Sequence, residues 1–182
     1  MIGAKVLRVT YNNINILMRI ESPVQIYSRR WEFSTDNAPA LAAIYLSYSL
    51  PIHSFISVPN EDCKCGIYGS TYYNLLLINY AADIQTHRVP VQVMLGRLSA
   101  YEYITYACFI IEATGKTIEH EFGFRAEYAK AIGVVNIFNW GRPTEKLLSN
   151  EFGIPLIAHN EVQALIAEHN ELRKIIMMES AK

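Results

Sequence analysis

Apolar and polar positions alternate from the start of the chain. Ala4, Val6, Leu7 and Val9 stand against Lys5, Arg8 and Thr10, and residues 14–20 read Ile-Asn-Ile-Leu-Met-Arg-Ile. Tyr11-Asn12-Asn13 lies between them, and asparagine tolerates the positive φ of a tight turn, so the pattern predicts a β-hairpin. A third strand is expected at Val24–Tyr27, running on toward Trp31 and Phe33. Asp36-Asn37-Ala38-Pro39 reads as a helix start, with a capping side chain and then proline in the first turn, and predicts a helix over Ala40–Leu50 that stops before Pro51. Ser70 can cap a second helix, Tyr72–Ala82, although Leu75–Ile78 also suits a buried strand.

From Val89 to Tyr128 the pattern is that of an antiparallel meander. Strands are expected at Val89–Leu95, Tyr103–Glu112, Thr117–Glu121 and Phe124–Tyr128, with a turn at Ala113-Thr114-Gly115-Lys116 and one more strand at Val134–Phe138. Helical spacing then takes over. Pro143-Thr144 opens a helix that Gly153 closes, and Ile154–Ile157 is extended. Asn160 is placed to cap a last helix, with Gln163 at the capping-box position and Val162, Leu165, Ile166, His169, Leu172 and Ile176 as its stripe. The elements predict an α+β fold: an antiparallel β-rich sheet or open barrel with two to four helices, the last a C-terminal amphipathic helix. Residues 1–140 are expected to form the core domain, and residues 141–182 a helical extension packed on it.

Composition sharpens this. Of 182 residues, 51% are hydrophobic, enough for a core, and only 18% are charged. Twelve tyrosines fill part of the polar deficit, since each can bury a ring and keep its hydroxyl wet, and the charge-poor surface points to a protein partner or a homo-oligomer. The net charge of −1 gives no footprint for nonspecific phosphate binding, so nucleic acid is disfavoured as a partner, although Arg29, Arg30, Arg97 and Arg125 could form a local basic face. No window reaches the roughly 18 apolar residues of a spanning helix, and Met1–Lys5 does not begin a secretory leader. Three cysteines, an odd number, make no disulfide framework, and the expected setting is the reducing cytosol.

Candidate chemistry gathers in two stretches. In Pro59–Gly69, Cys63 and Cys65 offer two soft thiolate ligands in a polar loop, and His53 is the natural third donor of a zinc site. A fourth would come from His87, His120, Asp62 or Cys108; the other reading is a pair of reduced loop thiols. In Glu119–Tyr128, a hairpin is expected to bring the Glu119/Glu121 face near Arg125 and Glu127, with His120 beside them as an acid/base-capable group. Glu119, His120, Arg125 and Glu127 form either a polar ligand site or a structural ion-pair network. Thr114-Gly115-Lys116-Thr117 lacks the upstream glycine of a phosphate loop, because position 110 is Ile. No complete nucleophile–base constellation is present.

The two stretches share one resemblance. Ser22-Pro23-Val24, Trp31, His53, Pro59, Cys63-Lys64-Cys65-Gly66-Ile67-Tyr68, Glu119-His120-Glu121-Phe122-Gly123-Phe124-Arg125-Ala126-Glu127-Tyr128-Ala129 and Phe152-Gly153-Ile154-Pro155 occur in that order. This resembles a family of uncharacterised small bacterial and mobile-element proteins with a Cys-x-Cys-Gly motif and a later Glu-His-Glu-x-Gly motif. Ala40–Tyr48 lacks the cysteine that members often carry between the tryptophan and the histidine, and Tyr101–Ile111 has the look of an insertion. The resemblance ties the two motifs together and implies no reaction. The leading expectation is therefore a non-enzymatic binding or adaptor protein. Its rivals are an enzyme or small-ligand binder using the His/Glu/Arg site, and a nucleic-acid-binding accessory protein.

Overall fold

The computed structural model describes residues 1–12, 17–21, 32–33, 39–42, 59, 66–86, 89–95, 98–137 and 143–180. Among them are nine strands and three α-helices in an α+β arrangement. The strands are β1 (Ile2–Asn12), β2 (Leu17–Glu21), β3 (Glu32–Phe33), β4 (Pro39–Ala42), β5 (Ile67–Ser70), β6 (Val89–Leu95), β7 (Leu98–His120), β8 (Gly123–Asn136) and β9 (Leu156–Ala158). The helices are α1 (Tyr73–Thr86), α2 (Pro143–Phe152) and α3 (Val162–Ser180).

All nine strands belong to one sheet, with the path β3-β4-β8-β5-β1-β7-β6. β7 also pairs with β8, so β1, β7, β8 and β5 close a ring. The long strand β7 holds this together, meeting β6 at Leu98–Ile104, β1 at Glu102–Glu112 and β8 from Phe109 to His120. β2 pairs antiparallel with β1, as the alternation at the N-terminus predicts, and β9 adds to β8 in the parallel sense.

Each face of the sheet is filled by one parity of β1. Leu7 and Val9 face a core with Phe109, Ile111, Phe124 and Ala126, covered by Leu148 and Phe152 of α2. Ile2, Ala4 and Val6 face a second core with Cys108, Ile110 and Val135, covered by Tyr73 of α1 and by Val162 and Ile166 of α3. The ring closes tightly. A Cβ on Gly69 would stand 2.3 Å from Cζ of Phe124, and one on Gly123 would stand 2.1 Å from the Gly69 carbonyl oxygen. The Phe124 ring occupies the space that side chains at Gly3 and Gly69 would fill.

Several elements differ from the sequence expectation. Pro39–Ala42, the expected helix start, is a strand between β3 and β8: proline at a strand's first residue sacrifices no helix bond, and pairing with β8 outweighs the capping signal. The expected turn at Ala113–Lys116 is a bulge within β7, where the register shifts between Thr114 and Thr117 and Gly115 takes φ +72°. The strand expected at Val134–Phe138 is the end of β8. The third-strand region Val24–Trp31 and most of Ala40–Leu50 lie outside the described residues.

α3 docks in an unexpected way. Gln163 does not serve a capping box. Its Oε1 accepts the Tyr73 amide at 2.9 Å and its Nε2 donates to the Thr71 carbonyl at 3.1 Å, which fixes the start of α1. Seven residues on, Asn170 accepts the Ile2 amide and donates to the Ile2 carbonyl, both at 2.9 Å, as a paired strand would. The helix is thus held through two side-chain amides on one face.

Gly123→Ala is expected to destabilise the protein by about 3 kcal/mol or more, because its methyl group would meet backbone rather than a movable side chain. Urea unfolding measures this; a loss under about 1 kcal/mol would show that the β5–β8 approach tolerates a side chain.

Candidate functional site

The two-residue turn Glu121-Phe122 sets Ile118 opposite Arg125 and His120 opposite Gly123. Arg125 therefore shares a face with Ile118 and His120, not with Glu119 and Glu121, because side chains alternate along each strand. Arg125 is only 5% exposed, and its Nε donates to His120 Nε2 at 2.8 Å. That bond requires a lone pair on Nε2, so His120 carries its proton on Nδ1 and its Nε2 is engaged in holding the guanidinium.

The carboxylates are dispersed. Glu119 reaches across to Arg173 of α3 at 3.5 Å, an exposed pair of small energetic weight. Glu127 Oε2 accepts the Lys116 amide at 3.2 Å and so ties down the bulge. Of Glu119, His120, Arg125 and Glu127, the structure brings together His120 and Arg125.

β5 begins two residues after Cys65 and pairs Ile67 with Ala126 and Tyr68 with Arg125. A Cβ on Gly66, whose φ is +112°, would lie 3.1 Å from Cβ of Pro59 and 3.3 Å from Cβ of Arg125. The chain thus enters the sheet beside the His120–Arg125 pair. His53, Cys63 and Cys65 lie outside the described residues, as do His87 and Asp62. Two of the suggested fourth donors are far apart: Cys108 is buried in the second core and His120 is exposed, with eleven residues of β7 between them, a strand length of up to about 40 Å. Among the described residues no three His, Cys, Asp or Glu side chains gather as a metal site.

Other ionisable groups are spent on the interior. Lys5 is half-buried, and its Nζ donates to the Tyr68 carbonyl at 3.0 Å. Desolvation lowers its pKa from 10.5 to about 8. Burial pushes the Cys108 thiol well above its ordinary 9.0, helped by the neighbouring Glu145 carboxyl. Burial likewise raises Tyr73, whose hydroxyl is 2.7 Å from His159 Nδ1. As a raised phenol it donates that bond.

The apolar stripe of the last helix emerges as an exposed surface at the end of α3. Leu172, Ile175, Ile176, Met177 and Met178 are each more than half exposed. The apolar stripe Leu165–Leu172–Ile176 was legible in the sequence, but the helix docks instead through Val162, Gln163, Ile166 and Asn170, which leaves the stripe partly uncovered. No described helix is long and apolar enough to cross a membrane. Comparison with known family models, with curated proteins and with solved structures finds no match.

Arg125→Ala is expected to cost about 3 kcal/mol, since it removes the packing of a side chain only 5% exposed, and His120→Ala about 1 kcal/mol, since the guanidinium keeps a further interaction when that one acceptor is lost. Urea unfolding of both variants checks the order; the reverse order would make His120 the anchor.

The pH dependence follows from signs. Lys5 titrates at about 8 when folded and 10.5 when unfolded, so the unfolded chain holds the extra proton in that window and stability rises with pH. Above 9.0 the unfolded Cys108 loses a proton that the folded thiol keeps, which opposes the rise. Stability is therefore expected to climb between roughly pH 8 and 9 and then level off. Lys5→Met should abolish the climb and Cys108→Ala should extend it; a climb retained in Lys5→Met would refute the assignment.

Proposed function

We propose that the protein is a non-enzymatic binding module that docks another protein on the exposed half of α3, in the reducing cytosol. The observation that carries this reading is the uncovered run from Leu172 to Met178, with five large apolar side chains in seven residues. A helix terminus of ordinary solvent-exposed character would be polar there. Methionine suits such a surface, because its flexible, polarisable side chain adapts to a partner's shape.

The His120–Arg125 pair supports this reading by what it is occupied with. Its base nitrogen binds the guanidinium, and Glu119 and Glu127 are engaged elsewhere, so these two carboxylates do not converge on His120.

Ile176→Asp is expected to abolish capture of a stoichiometric protein partner and leave the melting temperature within about 2 °C of the parent, since an exposed substitution shifts stability by about 0.5 kcal/mol. Affinity capture compared between parent and variant, with light scattering on both, reads the outcome. A parent protein that remains a monomer and captures nothing, or a variant that captures equally well, would remove the reading.

A further inference from the structure

α3 and the bulge of β7 form an open cleft of about 510 Å³, within the range of about 300–1,000 Å³ in which small molecules are held. One wall is apolar, with Leu172, Ile176 and Met177 of α3. The remainder is polar and of mixed sign: Arg173 of α3, the amino end of Met1 and Glu112 of β7 all line it.

The two cations stand close together. Burial holds the Met1 ammonium below its ordinary pKa of 8.0, and the Arg173 guanidinium lowers it further; Glu112 and Glu119 pull the other way without restoring it. That end of the cleft is therefore short of negative charge. Arg173 reaches Glu119 through one nitrogen at 3.5 Å, in an exposed pair of small weight, which leaves the rest of its fork for a second carboxylate.

Glu112 supplies the opposite sign. It stands across from Lys130 in the β7–β8 register, yet among the described residues it makes no ion pair, either with Lys130 or with the ammonium. Opposite charges thus line one cleft without meeting. His169 lines it too, and its Nδ1 is buried without a hydrogen-bond partner among the described residues. A polar group brought into the cleft relieves the desolvation cost of that atom.

We infer that the cleft binds a small zwitterion with an apolar side chain, of the α-amino acid type. Its carboxylate lies at Arg173 and the Met1 ammonium, its own ammonium at Glu112, and its side chain against Leu172, Ile176 and Met177. The mixed signs select it. A ligand of one charge is attracted at one end and repelled at the other, and an uncharged ligand pairs with neither. An α-amino acid carries all three features on one carbon, and a short apolar peptide carries the same three further apart. The inference stands apart from protein docking on Leu172–Met178, although such a ligand would occupy part of that surface.

The test is isothermal titration of the full chain near neutral pH with leucine and with three probes that each lack one feature. Isocaproate lacks the ammonium, isoamylamine lacks the carboxylate, and glycine lacks the apolar branch. Leucine is expected to bind at least about tenfold more tightly than each. Arg173→Gln should erase its advantage over isoamylamine, Glu112→Gln its advantage over isocaproate, and Ile176→Asp its advantage over glycine. A folding defect would instead weaken every probe together, and thermal melts read it directly. The parent's ranking of the probes tests the inference without any variant.

A parent that holds isocaproate or isoamylamine as tightly as leucine overturns the inference. So does binding weaker than about 1 mM for leucine, methionine and phenylalanine alike. Variants that all keep the parent's ranking would place the ligand elsewhere and overturn it as well. Leucine bound more tightly than leucyl-leucine supports a free amino acid as the ligand, and the reverse order supports a short apolar peptide.

Discussion

The ring of β1, β7, β8 and β5 depends on one aromatic side chain. Phe124 lies against the backbone at Gly3 and Gly69, in space that any larger side chain at those positions would occupy. This contact lets β5, only four residues long, bridge β8 and β1, which it meets in a single pair, Ala4 with Ser70. Aromatic burial supplies what a single ladder pair cannot. The His120–Arg125 pair sits on the outer side of the same junction, because Tyr68 of β5 faces Arg125.

The helical layer follows a different logic. α3 is attached by specific hydrogen bonds as much as by apolar burial, since Gln163 and Asn170 each satisfy a backbone donor and acceptor that would otherwise be left unpaired. The consequence is a helix whose rotation about its own axis is set by its amides. Its apolar stripe is turned partly away from the sheet, and the surface offered to a partner follows from that rotation.

Much of the fold was legible along the chain, and the failures share a cause. The pairing of β1 with β2 was readable from the apolar runs on either side of the asparagines, although β1 extends through Tyr11 and Asn12, where the pattern predicts a turn. α2 was readable from Pro143 and Gly153, the latter at φ +60°. Gly115 was misread because a positive φ serves a turn and a bulge alike, and Pro39 because proline suits the first residue of a helix and of a strand. Gln163 matched a local cap, yet its partners lie about 90 residues away, at Thr71 and Tyr73. At the candidate site, the hairpin and its residues were legible, but the facing of Arg125 was not. It depends on which residues form the turn, and a shift of one residue changes the face of every side chain.

The sheet's wiring also imposes a schedule on the nascent chain. β1 is synthesised before β7, its main partner, and the pair of Ile2 with Glu112 spans most of the chain. At about 5–20 residues per second, roughly 5–20 s of synthesis separates the two. During that interval β2 covers Arg8–Tyr11 and β5 reaches Ala4 along β1, while Leu7 and Val9 await their core. A strand that must wait this long with an open edge is a natural client for a chaperone during translation.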